Sequence, residues 1–335
     1  MEAFLDDVIR NAREGQRQVI VLPEGDDSRI VAAGRQAVDK DIADIVVLGH
    51  PDVVASHGVA LDGMRIIDPE TAEDSEEMAQ YLASLRKHKG VTLEDARELV
   101  RDPMYYGTMM VKSRKANGMV AGACNPTPKV LRPSLQLLKT APGVKTASSA
   151  FIVDLPDDTF GEKGRFVFAD CATNEEPNSA QLADIAVTSA ETFREFLGDE
   201  PRVAMLSFST YGSAKGRMVD RVQKATALAR QMAPDTIIDG DLQLDAAILP
   251  EVAASKAPES PVAGRANVLV FPDLEAGNIG YKLVERLGKA QVYGPISQGM
   301  SAPVSDLSRG CNVTDIVGVI AITVVQARHR QHHEA

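Results

Sequence analysis

Short apolar runs alternate with amphipathic segments along most of this 335-residue chain. The first pair is representative: apolar residues at helical spacing end at Gly15, and a short apolar run at 18–22 follows. Further strands are predicted at 45–48, 64–68, 118–123, 203–208, 236–239, 267–271 and 290–296, with helices between them. Regular alternation of strands and helices predicts an α/β fold with mostly parallel sheets.

One connection departs from this alternation. The strands predicted at 146–155 and 165–170 are joined by the turn-rich segment PDDTFGEKG, so they are expected to pair antiparallel. A chain of this length accommodates two domains. We expect a discontinuous first domain of residues 1–143 and 295–335, and a second domain of residues 144–294.

Capping residues mark several helix ends. Thr92 with Asp95, and Asn178 with Gln181, have the spacing of an N-cap residue and the third helical residue. The last helix, predicted at 316–326, is apolar almost all round and is therefore expected to be buried.

The Pro-rich segment CNPTPKVLRP is interpreted as a loop that leads into a helix at 134–140. Pro133 is then the first helical residue, a position where proline is tolerated. This interpretation leaves Arg132 beside a helix N-terminus, where an anion is favoured.

Composition narrows the class of protein. Hydrophobic residues make up 44% of the chain and charged residues 25%, but aromatics are only 4% and tryptophan is absent, so the cores must be aliphatic. The formal net charge of −11 argues against nucleic-acid binding, which depends on local Lys and Arg. No apolar run reaches transmembrane length, and the acidic N-terminus is unlike a signal peptide. Three widely spaced cysteines form no pairing or metal-binding pattern, which fits a reducing cytoplasm.

The segment 294–315, GPISQGMSAPVSDLSRGCNVTD, carries the clearest candidate chemistry. The last predicted strand runs into a loop with Ser308 and Arg309, and a helix opens at Asn312 with Asp315 at the third helical position. A helix N-terminus beside an arginine favours an anion, most often phosphate. Phosphate binder, hydroxyl and carboxylate at one corner are the parts of an acyl- or phosphoryl-transfer site.

The same residues also have purely structural interpretations. Asp315 would then only complement the helix dipole, Ser308 would only hold a turn, and Arg309 would pair with Asp306. Elsewhere, STYGSAKG has the composition of a phosphate loop but lacks the GxxxxGK[ST] spacing, so it is interpreted either as an anion contact or as a tight turn. No GxGxxG follows the first strand, and no His or Cys cluster has metal-ligand spacing.

The string PVSDLSRG, followed by an apolar helix, resembles the C-terminal signature of the phosphate acetyltransferase family. Further blocks resemble family segments in family order: GMVAGACNPTPKVLRPSLQLLKTAPGVKTASSAFI, FADCATN, RVAMLSFSTYGSAKG, IDGDLQLDAAILPEVA and SPVAGRANVLVFPDLEAGNIGYKLVERLG. Near the start, PEGDDSRIVAA fits as well. Several blocks in order are far more specific than one motif.

The resemblance implies two α/β domains related to the isocitrate/isopropylmalate dehydrogenase fold, a cleft between them that holds the site, and a homodimer formed through the second domain. It implies a cytoplasmic enzyme of acetate metabolism that moves an acetyl group between acetyl phosphate and coenzyme A. Coenzyme A, acetyl phosphate and phosphate are then substrates, and neither a metal nor another cofactor is required. A butyryl-transferring relative and a non-catalytic sensor of acyl coenzyme A are the alternatives.

The resemblance also implies residue roles. Asp315 is the base toward the coenzyme A thiol, Ser308 stabilises the transition state, and Arg309 binds the phosphate of the acyl phosphate. The expected coenzyme A contacts are three further arginines: Arg86, Arg132 and Arg286.

Overall fold

The computed structural model describes residues 4–198 and 200–334, with side chains described up to residue 330. The chain divides into two compact units. The first unit comprises the chain up to Pro142 together with the segment that starts at Met300, and the second runs from Gly143 to Gly299.

The described strands are β1 (Val19–Leu22), β2 (Asp44–Leu48), β3 (Met64–Ile67), β4 (Gly118–Ala121), β5 (Ser148–Asp154), β6 (Arg165–Ala169), β7 (Arg202–Leu206), β8 (Ile237–Leu242), β9 (Val268–Val270), β10 (Gln291–Gln298) and β11 (Val304–Asp306). The described α-helices are α1 (Phe4–Glu14), α2 (Ser28–Asp39), α3 (Pro51–Ser56), α4 (Ser75–Arg86), α5 (Leu93–Arg101), α6 (Pro103–Lys112), α7 (Thr127–Leu137), α8 (Ser179–Leu197), α9 (Arg217–Met232), α10 (Leu244–Ile248), α11 (Pro250–Lys256), α12 (Leu274–Arg286) and α13 (Val313–Glu334). A short 3-10 helix, Lys87–Lys89, extends α4.

The sheet of the first unit has the order β11-β4-β1-β2-β3, and all its strand pairs are parallel. The chain adds β2 and β3 on one side of β1 and then places β4 on the other side. The loops that follow β1 and β4 therefore leave the sheet in opposite directions, which opens a crevice at their carboxyl ends. Helix α13 packs on this sheet and on α1 and α2, and its apolar residues are buried as predicted.

The sheet of the second unit has the order β10-β5-β6-β9-β7-β8. Strand β5 is antiparallel to both β10 and β6, and the remaining pairs are parallel. The predicted hairpin is thus confirmed, as is the α/β class with mostly parallel sheets. Aromatic rings concentrate in this core, where Phe166 packs edge-on against Phe168, which in turn contacts Phe271.

The predicted helix caps are confirmed. Thr92 with Asp95, and Asn178 with Gln181, each form reciprocal hydrogen bonds between side chain and backbone at the start of α5 and α8. These bonds satisfy N–H groups that the first helical turn leaves without an internal partner.

The predicted start of the helix after the Pro-rich segment was wrong. Helix α7 begins at Thr127, so Pro133 is inside it and Arg132 is on its surface, not at its N-terminus. The first turn tolerates Pro128, and the interior Pro133 removes only one intrahelical hydrogen bond.

The strand that leads into Ser308 is also not the one predicted, because β10 belongs to the second sheet and the short β11 pairs with β4. Three residues, two of them polar, give too weak a pattern to be predicted as a strand.

Candidate active site

The candidate site of the first unit lies at the carboxyl ends of β11, β4 and β1, which are adjacent in the sheet. Because these strands are parallel, the segments that follow them meet at the same edge. This edge also contains the crevice where the order of strands reverses, the usual place for a ligand in an open α/β sheet.

The N-terminus of α13 is capped as predicted. The backbone N–H of Asn312 donates to Asp315 Oδ2 at 2.9 Å, and the N–H of Asp315 donates to Asn312 Oδ1 at 3.0 Å. Asp315 is exposed, and its Oδ1 accepts no hydrogen bond from the described residues. Its capping role therefore occupies one carboxylate oxygen and leaves the other accessible.

Ser308 also has a structural contact. Its Oγ accepts a hydrogen bond from the N–H of Gly310 at 3.3 Å, and its carbonyl accepts one from Cys311 at 3.0 Å. The side chain is exposed, and since Oγ acts as an acceptor here, its own proton is available to a ligand.

Arg309 is different from its two neighbours. Its carbonyl accepts a hydrogen bond from Arg29, but its exposed guanidinium forms no bond with any described residue of the first unit. The alternative pairing with Asp306 is not present, because Asp306 accepts instead from Thr127 Oγ1 at 2.6 Å. A cation without a structural partner beside a helix N-terminus is suited to binding a phosphate.

Arg29 fixes the backbone of this corner. Its guanidinium donates to the carbonyls of Arg309 at 3.0 Å, Cys311 at 2.8 Å and Ala123 at 2.7 Å. Asp27 binds the same guanidinium, so the pKa of Asp27 is lowered and that of Arg29 is raised. One side chain thus joins the segment after β11 to the segment after β4.

Glu24 fills the crevice at the end of β1. Its carboxylate is buried and accepts hydrogen bonds from the backbone N–H groups of Gly122 and Ala123, both at 2.8 Å, and of Cys124 and Asn125, at 3.2 and 3.0 Å. Glu24 and Arg29 were not predicted from the sequence to belong to the site. The signal was the acidic and basic PEGDDSR directly after a buried strand, but its use depends on which strands are neighbours.

Two of the predicted coenzyme A arginines lie near one tyrosine. Arg132 is exposed on α7, and Arg86, the last residue of α4, places Nη1 at 3.5 Å from the carbonyl of Gln136 in α7. Burial raises the pKa of Tyr105, whereas the positive charges of Arg132 and Arg86 act in the opposite direction. The first unit therefore brings these two arginines into one neighbourhood.

Arg286 belongs to the second unit. It is the last residue of α12, its side chain is 79% exposed, and its Nε lies 3.4 Å from the carboxylate of Glu285. An ion pair whose arginine is largely exposed is weak, so this guanidinium can exchange its partner for a phosphate.

None of the three cysteines is in an environment that activates a thiol. Burial and the nearby Glu24 and Asp26 carboxylates raise the pKa of Cys124 to about 12. Burial also raises the pKa of Cys171 and Cys311. A thiol that stays protonated is a poor nucleophile.

The phosphate-loop-like segment of the second unit, residues 209–216, uses its serine hydroxyls and several of its amides internally, whereas the Lys215 side chain is exposed. Ser209 Oγ accepts from Ala214 N–H and Ser213 Oγ accepts from Thr210 N–H, both at 3.1 Å. Asp241 accepts from the N–H of Gly212 at 3.2 Å. These bonds are those of a tight turn before α9.

Within the described part of the chain, no three His, Cys, Asp or Glu side chains cluster as a metal site would require. Across the same residues, none of the helices combines the length and the apolar character needed to cross a membrane.

The fold and the corner at 308–315 define a class: an α/β protein with the groups needed for transfer of an acyl or phosphoryl group. The family model described as "Phosphate acetyl/butaryl transferase" matches residues 3–324, and the chain belongs to this family.

Individual relatives agree. The chain is 53% identical over 328 residues to the phosphate acetyltransferase of Thermoanaerobacterium thermosaccharolyticum. The matched region covers 97% of this chain and 100% of the relative. It is 43% identical to a phosphotransacetylase of known structure from Streptococcus pyogenes, with a TM-score of 0.92 over 97% of this chain and 98% of that one. A branched-chain phosphotransacylase from Enterococcus faecalis shares the fold, with a TM-score of 0.65 at 20% identity, covering 92% of this chain and 99% of that chain.

Proposed function

We propose that this protein is a phosphate acetyltransferase, which reversibly transfers an acetyl group between acetyl phosphate and coenzyme A. The observation that carries the proposal is the exposed Arg309 at the N-terminus of α13, beside the Ser308 hydroxyl and the Asp315 carboxylate. Near-complete coverage at 53% identity to a protein of that name supports it further.

The chemistry follows from these groups. Arg309 and the first turn of α13 bind the phosphate of acetyl phosphate, while Asp315 accepts the proton of the coenzyme A thiol. The thiolate sulfur attacks the acetyl carbon, and Ser308 Oγ–H donates to the oxygen on which negative charge develops. The C–O bond to phosphate then breaks, so acetyl coenzyme A and inorganic phosphate are formed. No cofactor is needed, since the acyl phosphate is already activated.

Direct attack within a complex of both substrates is the proposed route. A covalent acyl-cysteine would require an activated thiol, and the raised pKa values of the three cysteines oppose that. Positioning two bound polyanions for one transfer is then the main task of the protein, and arginines perform it. We assign Arg132, Arg86 and Arg286 to coenzyme A.

We also propose that the protein is a cytoplasmic homodimer formed through its second unit. Ile279 and Leu283 on α12, and Leu287 directly after its end, are spaced four residues apart and are 59%, 52% and 78% exposed. A stripe of three large apolar side chains is characteristic of a protein interface. Leu283→Glu should convert the dimer to monomers in light scattering, whereas an unchanged mass would reject this face as the interface.

Two alternatives remain distinguishable. A phosphate butyryltransferase shares the fold, as the relative from Enterococcus faecalis illustrates, but would prefer butyryl phosphate. A non-catalytic sensor of acyl coenzyme A would have no use for Ser308, Arg309 and Asp315 together.

The discriminating experiment is a thioester absorbance assay of the purified protein with coenzyme A and either acetyl or butyryl phosphate. We expect rapid thioester formation with acetyl phosphate and a lower kcat/KM with butyryl phosphate. Preference for butyryl phosphate would identify the butyryl enzyme. Coenzyme A binding without turnover of either acyl phosphate would identify a sensor.

A further inference from the structure

Asp306 is a buried carboxylate that the proposed chemistry does not use. It is the last residue of β11, two positions before Ser308, and is only 6% exposed. Its Oδ2 accepts a hydrogen bond at 2.6 Å from Thr127 Oγ1, and Thr127 is the first residue of α7. Its Oδ1 has no hydrogen-bond partner among the described residues.

The surroundings of Asp306 leave little room for any rearrangement. Gly122 has a φ of +115°, and a Cβ added there would lie 2.5 Å from Asp306 Oδ1 and 2.6 Å from the amide nitrogen of Leu307. The segment after β4 is therefore packed directly on this carboxylate, and glycine is required for both its conformation and its close approach.

Asp306 and Glu24 lie at the same edge of the sheet, but Asp306 receives fewer hydrogen bonds. Glu24 receives four backbone hydrogen bonds, whereas among the described residues Asp306 receives one, from Thr127. Burial raises the pKa of Asp306 to about 6, the Thr127 bond opposes this shift, and the charge of Glu24 adds to it. Within the described chain, Glu24 is the charged group that acts on Asp306.

The direction of the shift has a consequence for stability. A carboxyl whose pKa rises from 3.8 to about 6 on folding binds its proton more tightly in the folded state. The stability that it contributes is present below the lower value and is lost as the pH rises toward the higher one. At neutral pH the folded protein therefore buries an ionised carboxylate at a cost in stability. A neutral side chain of the same shape would avoid this cost. Such a residue is characteristic of functional sites.

We propose that Asp306 is a positioning residue whose ionised carboxylate holds the first turn of α7, the helix of Arg132, against the strand end that leads to Ser308 and Arg309. The proposal rests on the proposed function, since it links the arginine assigned to coenzyme A with the groups assigned to acetyl phosphate. A hydrogen bond to a charged acceptor is stronger than one to a neutral acceptor, so loss of the charge loosens this link.

The test compares four single variants of the protein and the double variant of Asp306→Asn with Thr127→Val. Asp306→Asn removes the charge, Thr127→Val removes the donor, and Thr127→Ser keeps it. Ser305→Ala is a matched control on the same strand, because the Ser305 hydroxyl contacts Thr323 of α13 at 2.8 Å and not α7.

We expect Asp306→Asn and Thr127→Val each to raise the KM for coenzyme A about fivefold to tenfold, the range for one charge-assisted hydrogen bond. The double variant should be little worse than either single one. Thr127→Ser and Ser305→Ala should keep the KM within about twofold of wild type, since neither removes this bond.

Stability and pH separate positioning from a merely structural role. Asp306→Asn should melt at a higher temperature than wild type at pH 8, and the difference should shrink as the pH falls and vanish only below the unfolded-state pKa of 3.8, where Asp306 is protonated in both states. The ratio of KM values, variant to wild type, should fall toward one as the pH falls through about 6, because coenzyme A binds only the folded protein. Using the ratio cancels titration of the substrates themselves.

Three outcomes would overturn the proposal. A wild-type KM in Asp306→Asn, with or without the gain in stability, would leave a buried charge without a positioning role. Additive effects in the double variant would show that Asp306 and Thr127 act separately. A ratio of KM values that does not change with pH would show that the charge of Asp306 has no part in positioning. Failure of the proposed function is distinct, because the wild-type protein would then form no thioester.

Discussion

Two segments of this protein contain glycine, hydroxyls and a basic residue before a helix, and they differ in how their polar groups are used. In the segment 209–216 of the second unit, Ser209 and Ser213 close the turn, and Asp241 binds one of its amides. In the corner at 308–315 of the first unit, Ser308 and Asp315 have structural contacts as well, but the Arg309 guanidinium has none among the described residues of that unit.

The comparison shows that composition alone does not identify an anion site. Both segments carry the residue types of a phosphate loop, and both precede a helix. The corner differs because an arginine, with its planar fork of donors, lies next to a helix N-terminus. The Asp315 carboxylate that caps this helix keeps one oxygen without a hydrogen bond from a described residue. Arg29 holds the backbone of the corner in place. Groups that the fold leaves unused are the ones available to a substrate.

Among the variants that test this comparison of the two segments, the largest effect is expected from Arg309→Ala. Loss of the phosphate-binding fork should lower kcat/KM for acetyl phosphate by about 10²-fold or more, as for other groups that stabilise transferring phosphate. Arg309→Lys should recover only part of it, because an ammonium lacks the planar fork. Steady-state assays at saturating coenzyme A measure this change. A value for Arg309→Ala within about threefold of wild type, against that range, would make the corner no different from the 209–216 segment.

A smaller effect is expected from Arg132→Ala and Arg286→Ala. Each should raise the KM for coenzyme A about tenfold, since charge-assisted phosphate contacts contribute roughly 1.5–3 kcal/mol. The KM for acetyl phosphate should change little in either variant. If both variants keep the wild-type KM for coenzyme A, these arginines do not belong to the site.

The cysteines are expected to be dispensable. Replacement of Cys124, Cys171 and Cys311 by Ala should leave a folded and active protein, because none of the three thiols is activated in the structure. Mass spectrometry of protein quenched during turnover should find no acetyl-cysteine. An acetyl group trapped on any of them would replace direct attack by a covalent route.

The smallest effect is expected from Lys215→Ala in the 209–216 segment. The side chain is exposed, and the turn is held by other residues, so kcat/KM for both substrates should stay within about twofold of wild type, as for an ordinary surface substitution. A loss comparable to that of Arg309→Ala would show that the second segment also binds substrate, and the contrast between the two would fail.

The sequence predicted those parts of the structure that depend on local pattern. Buried strands, the caps at Thr92 and Asn178, and the reciprocal pair of Asn312 and Asp315 each need only residues a few positions apart. Strand β11 was missed because its three residues have no apolar pattern and form a strand only by pairing with β4.

The supporting residues of the candidate site could not be predicted in the same way. Glu24, Arg29 and Asp306 are far apart in the chain and become relevant only because the order β11-β4-β1 brings their strand ends together. Nothing in the local sequence indicates which strands are neighbours. Local pattern also has limits within one element. A helix was correctly expected near Arg132, but its predicted start was wrong, so Arg132 does not lie at the helix N-terminus.

The most direct test of the account compares Asp315→Asn with Asn312→Ala, two variants of one helix cap. If Asp315 is the base, Asp315→Asn should lower kcat by about 10² to 10⁴, the usual range for loss of a general base. Its remaining rate should climb with pH toward the thiol pKa of about 8.5, where free thiolate replaces the base. Asn312→Ala should destabilise the protein by about 1 kcal/mol, the usual value for a lost cap, yet keep most of kcat. A kcat for Asp315→Asn within about threefold of wild type, judged against that general-base range, would contradict the account and leave Asp315 as a cap alone.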